Sequence, residues 1–119
     1  MLPMKRLVAW TTLVLIVVLT VVPPDLRPET PIPHGVEHAS IFLIAGFLFG
    51  TAYMGREWIL SAGGIAFCAA IEALQLHIPG RHGRVSDFVI DVAAAIAGVF
   101  VGAFVHRVGA KIQDRLKKQ

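Results

Sequence analysis

Four apolar blocks, about 7–22, 36–54, 58–78 and 85–105, take up most of this chain of 119 residues. Each approaches the roughly 20 residues that a helix needs to cross a hydrocarbon core. Hydrophobic residues make up 55% of the chain and charged residues 16%. A soluble domain of this length spreads its apolar residues through shorter runs. The expected fold is therefore all-α, without sheet: an integral membrane bundle of four transmembrane helices. It forms a single domain over 1–119 that ends in a basic tail, 106–119. The first block has the position of a signal peptide. Pro23-Pro24 follows it with no small-x-small cleavage pattern ahead, so a retained anchor is expected. The single cysteine, Cys68, excludes an internal disulfide; among Phe67, Ala69 and Ala70 it reads as a packing residue.

The distribution of cations sets an orientation. With the N-terminus in the cytoplasm, Lys5, Arg6, Arg56, Arg107, Lys111, Arg115, Lys117 and Lys118 fall inside, and Arg27, Arg81 and Arg84 fall outside. This positive-inside bias predicts a multi-pass protein of a bacterial inner (cytoplasmic) membrane with both termini cytoplasmic. Trp10, Tyr53 and Trp58 then share the inner interface, where amphipathic aromatic rings are enriched. In the tail, Val108, Ile112 and Leu116 recur at helical spacing, which suits a short amphipathic helix on anionic lipid, although setting topology alone accounts for the charges. The first outer loop, PPDLRPETPIPHG, holds five of the seven prolines and should be extended and stiff.

Small residues predict which helices touch. Gly46 and Gly50 form one small-xxx-small pair, and Gly98 and Gly102 another, preceded by Ala93, Ala94, Ala95 and Ala97. Helix association in a membrane relies on close backbone approach and dispersion, so helices two and four should pack closely.

Against this background the stretch CAAIEALQLHIPGRHGRVSDFVID, residues 68–91, is anomalous. It places Glu72, Gln75, His77, Arg81, His82, Arg84, Asp87 and Asp91 around one short turn. In the predicted orientation, these groups and His38 converge on the outer membrane face. Glu72 lies six residues before Ile78, and Asp91 six after Val85. At a rise of about 1.5 Å per residue, both acids are expected at one depth, roughly 9 Å below the turn. Glu72 and Gln75 share a helix face, as do Asp87 and Asp91, whereas His77 points about 140° away from Glu72. A charge at such depth costs about 3 kcal/mol even on the lenient insertion scale, so these groups should face the bundle interior. Arg81 and Arg84, above the start of helix four with its free N–H groups, make a seat for an anion such as a lipid phosphate. Ser86 or Asp87 can cap that helix.

A blander account is a buried ionic network that only fixes the bundle. A metal site from His38, Glu72, Asp87 and Asp91 has suitable ligand types but no HExxH-like spacing, so no metal and no cofactor is expected. His34 and His82 read as solvated loop residues, Glu29 as an ordinary loop charge and His106 as a snorkelling interfacial side chain. The basic residues line membrane faces without a groove-reading motif, which argues against nucleic acid.

The segment IEALQLHIPGRHGRVSDFVIDVAAAIAG resembles the VanZ-like family of small membrane proteins, the teicoplanin-resistance type. The family pattern is a His early in one helix, Glu-x-x-Gln near the end of the next, a Pro-Gly-Arg turn, then Asp-x-x-x-Asn and a Gly-rich stretch. Here His38, Glu72 with Gln75, Pro79-Gly80-Arg81, Asp87 and Gly98 occupy those positions. The resemblance is strong over 69–102 and weaker over 34–45. Asp91 stands where the family carries Asn, Ala94 where a Gly often follows, His34-Gly35 where an Asp-Lys pair is usual, and Phe42 where Tyr is common. The resemblance implies a four-helix inner-membrane protein acting near cell-envelope lipids, with a link to antibiotic resistance.

Three functions compete. In the first, the site binds an anionic or isoprenoid membrane lipid or a lipid-linked glycan, with Arg81 and Arg84 as anion ligands. Gln75, Asp87, Glu72 and Asp91 then complete the recognition. In the second, an enzyme uses Glu72 or Asp91 as general acid or base, His38 as nucleophile or proton shuttle and Arg81 to stabilise charge on a lipid-linked phosphate or glycan. In the third, a proton or ion pathway, polar groups through the full depth are required, and the inner halves offer only Thr11, Thr12, Thr51 and Ser61. The sequence leaves room for an oligomer or a partner protein.

Overall fold

A computed structural model describes residues 4–21, 34–53, 55–75 and 85–119. Among these residues there are four α-helices and no strand: α1 Met4–Val21, α2 His34–Ala52, α3 Glu57–Gln75 and α4 Val85–Lys117. Each apolar block becomes one helix. No proline interrupts their interiors, and Ala, Leu, Ile and Val fill them. The only described connection, between α2 and α3, turns at Gly55, whose φ of 81° lies in the left-handed region open to glycine. Arg56 immediately precedes α3, its carbonyl accepting from Leu60 N–H at 2.9 Å.

The closest pair is α2 with α4, as the glycine spacing predicts. A Cβ placed on Gly46 would fall onto the Ala95 carbonyl oxygen, one on Gly50 onto that of Val99, one on Gly98 onto that of Leu43 and one on Gly102 onto that of Phe47. The same Gly98 Cβ would lie 2.8 Å from Phe47 N. Backbone thus meets backbone, and only glycine permits it. The partners ascend together along both helices, so α2 and α4 run parallel. Next, α3 packs on α4, and α1 packs mainly on α2. A small core of Ile16, Phe42, Ala45, Cys68, Ile71 and Ala95 draws on all four helices.

Much of the apolar surface remains outside. Leu7, Val14, Leu15, Ile44, Trp58, Ile59, Val101 and Phe104 are all exposed. Two stretches, Glu57–Leu74 of α3 and Phe88–Lys117 of α4, are long and apolar enough to cross a membrane. Only 22% of the α3 window and 28% of the α4 window is buried within the bundle. Over their described residues α1 and α2 do not meet the same measure, the apolar part of α2 being Ala39–Ala52. Among the described residues there are therefore four helices, two of them of spanning length and composition.

One boundary differs greatly from expectation. The tail over 106–119 is not a separate element: α4 continues unbroken for 33 residues, about 50 Å. Residues 106–117 hold no proline, and Ala110, Lys111, Gln113, Arg115 and Leu116 are strong helix formers. The change from apolar to charged composition marks where the helix leaves the bundle, not where it stops.

Candidate functional site

The polar residues form two groups at opposite ends of the bundle. The acidic end is the one singled out from the sequence. Asp91, near the start of α4, is 2% exposed and, with Cys68, is among the largest fully buried side chains. Its carboxylate lies within electrostatic reach of the Cys68 thiol. Glu72, one turn beyond Cys68 on the same face of α3, is half-buried. Both residues have interaction partners within the protein. Phe42, packed in the core at 4% exposure, meets the Phe67 ring at 6.3 Å between centroids. His38 belongs to α2, one turn before Phe42 along the backbone.

Gln75 and Asp87 belong to α3 and α4. The side chains of His38, Gln75 and Asp87 lie outside the described residues, as do Arg81, Arg84, His77 and His82 entirely. Among the described residues, Cys68 thus relates the two acids: Asp91 lies within electrostatic reach of its thiol and Glu72 is one turn further along α3. No group of three His, Cys, Asp or Glu side chains there is placed to hold a metal.

The equal depth expected for Glu72 and Asp91 needs correction. A Cβ on Gly64 would lie 3.9 Å from the Ala95 Cβ. One turn along each antiparallel helix brings Cys68 opposite Asp91, which agrees with Asp91 lying within electrostatic reach of the Cys68 thiol. One further turn sets Glu72 level with the backbone of Asp87. Asp91 therefore sits about 6 Å deeper than Glu72. Side-chain packing between helices sets this register, and counting inward from the ends of apolar blocks misses it.

The basic end was not recognised as a group from the sequence. Lys5 Nζ donates to His106 Nδ1 at 3.2 Å, which gives His106 a partner where snorkelling was expected. The Arg6 guanidinium lies 4.5 Å above the Tyr53 ring, a cation–π contact. Trp10 Nε1 donates to the Tyr53 hydroxyl at 2.8 Å, and Phe49 packs edge-on to Trp10 and stacks on Tyr53. Arg107 Nη2 donates to Glu57 Oε1 at 2.6 Å. Glu57 opens α3, where its charge also suits the positive end of the helix. Of the three aromatics expected at one interface, Trp10 and Tyr53 bond directly, and Trp58 packs edge-on to Phe100. The orientation argument already put Lys5, Arg6, Arg56 and Arg107 on one side. It treated them as separate charges because their meeting depends on how α1, α2 and α4 pack.

Comparison with known proteins yields no family model that matches the chain, no matching curated protein and no matching solved structure.

Proposed function

We propose that this chain is a multi-pass inner-membrane protein of the VanZ-like type with both termini cytoplasmic. Its outward-facing acidic end binds an anionic envelope lipid or a lipid-linked glycan and thereby modulates the envelope or its response to antibiotics. The observation that carries this reading is the full burial of Asp91 inside a bundle whose outer surface is largely apolar. A carboxylate is costly in such a place, and one retained at membrane depth faces the interior as a functional group by default. The low burial of the two long apolar helices supports lipid as their surroundings, since the core helix of a soluble protein is mostly covered. The composition of α1 supports it too. LVLIVVLTV is rich in β-branched residues that favour strands in water, and a hydrocarbon medium enforces the helix because every backbone group must be satisfied within it.

In this reading Arg81 and Arg84 hold the anion at the membrane surface, and Glu72, Gln75 and Asp87 with the deeper Asp91 recognise hydroxyl or amine groups beneath it. Native mass spectrometry of protein purified in mild detergent tests the proposal, with co-purified lipids identified. Wild type should retain one defined anionic or isoprenoid lipid that Arg81→Ala/Arg84→Ala releases. The same lipid profile in both would reduce the acids to bundle structure. If the retained lipid is converted during incubation and Glu72→Gln stops conversion while still binding, the site is an enzyme.

A further inference from the structure

The basic end contains a cleft of about 500 Å³ lined by Lys5, Arg6, Arg56 and His106 together with Tyr53 and Thr51. Among the described residues no acidic side chain lines it. Glu57, adjacent to Arg56 in sequence, is committed to Arg107. The Nε of Arg6 is buried with no hydrogen-bond partner among the described residues. Cations gathered this way in a partly enclosed space create a field that an anion would neutralise.

A second space adjoins it. A groove of about 320 Å³ shares Tyr53 and Arg56 with the cleft and runs to Phe42 and Cys68 in the middle of the bundle. Its lining is almost wholly apolar, from Leu13 and Ile16 of α1 to Ile59 and Phe67 of α3. Arg56 and Cys68 are twelve residues apart, so the groove is about 18 Å long, against about 15 Å for half a hydrocarbon core. That is the reach of one lipid chain from the headgroup level to the midplane. Ser61 lines the groove, is 7% exposed, and its Oγ has no hydrogen-bond partner among the described residues. It sits about 7 Å deeper than Arg56, where a lipid's ester or hydroxyl oxygen lies below its phosphate. An unpartnered hydroxyl in an apolar wall is itself unfavourable.

We infer that the basic end is a second lipid site, distinct from the acidic end, that holds a phosphate-bearing anionic lipid. Lys5, Arg6 and Arg56 contact the phosphate, one hydrocarbon chain occupies the groove, and Ser61 Oγ donates to an oxygen of the linker. Cations that only set topology would need no shared cleft and no chain-length groove behind it.

The test uses full-length protein in the Arg81→Ala/Arg84→Ala background, so that the acidic end contributes no anion ligands. Phosphatidylglycerol and phosphatidylcholine are titrated separately and read by native mass spectrometry, with circular dichroism as the check on folding. Phosphatidylglycerol should bind at least tenfold more tightly. Arg6→Gln/Arg56→Gln should weaken it about 25-fold, about fivefold per cation, and remove the preference. Gly63→Leu fills the groove from a position where a Cβ meets nothing within 4 Å. It replaces a poor helix former with a good one, so the protein should fold, and phosphatidylglycerol should be weakened while the cleft charges stay. This variant carries the test if the arginine variant does not fold. Equal binding of the two lipids would overturn the proposal, as would unchanged phosphatidylglycerol binding in folded Arg6→Gln/Arg56→Gln. Binding of inorganic phosphate with no effect of Gly63→Leu on phosphatidylglycerol would overturn the lipid assignment in favour of a free anion.

Discussion

The two ends of this bundle solve the same problem, placing charge in an apolar helical protein, in opposite ways. At the acidic end Asp91 is carried inside, level with Cys68, and is almost wholly removed from solvent. At the basic end Lys5, Arg56 and Arg107 remain exposed. There the contacts are made by long side chains that reach each other across helix ends, as in the Lys5–His106 and Arg107–Glu57 pairs. Short acids borne on a helix interior have no freedom to reach water, so their position is set by the backbone. Long cations can bury their stems and keep their charge at the rim. The acidic end should therefore be rigid and sensitive to substitution, and the basic end adaptable.

The largest effect should come from a change that dissolves the comparison by separating the helices that carry both ends. Gly98→Leu would drive a side chain into the backbone of α2 at Leu43 and Phe47. A cost of about 3 kcal/mol is expected, seen as loss of folded protein in detergent, whereas Gly63→Leu leaves the melting temperature unchanged or higher. A sharper separation comes from Asp91→Ala. Loss of a fully buried side chain and of its interactions should cost about 2 kcal/mol, measured by thermal unfolding, and should leave lipid retention at the basic end intact. The smallest effect is expected at the rim. Arg107→Ala leaves buried Glu57 without its cation, but Arg107 is 52% exposed in its side chain and water screens the pair, so about 1 kcal/mol is expected. Equal costs for Asp91→Ala and Arg107→Ala would remove the distinction between the ends.

The fold was legible to the extent that it follows from composition along the chain. Four apolar blocks become four helices, and the spacing of Gly46 with Gly50 and Gly98 with Gly102 identifies the α2–α4 contact because a missing Cβ has one clear steric use. Cys68 is buried as its neighbours suggest. Three features were not legible. The continuation of α4 to Lys117 follows from helix propensity, which a change in hydropathy conceals. The offset of Asp91 from Glu72 depends on the register between α3 and α4, set by Gly64 against Ala95. The cluster of Lys5, Arg6, Tyr53 and His106 unites residues about 100 positions apart, and no local spacing encodes such a meeting. Arg81 and Arg84, which are central to the proposed acidic site, lie outside the described residues, so their role rests on the sequence.

The central claim is one of orientation: the acidic end faces outward and the basic end, with both termini, faces the cytoplasm. The lone cysteine makes this directly measurable, because Cys68 is 2% exposed and should not react with a membrane-impermeant maleimide in the folded protein. Single cysteines introduced as Glu29→Cys, in the loop expected outside, and Lys118→Cys, at the end of α4, report the two sides. Labelling of Glu29→Cys in intact cells, with Lys118→Cys reacting only after permeabilisation, is the predicted result. The reverse pattern, labelling of both in intact cells, or recovery of the protein in the soluble fraction would contradict the account.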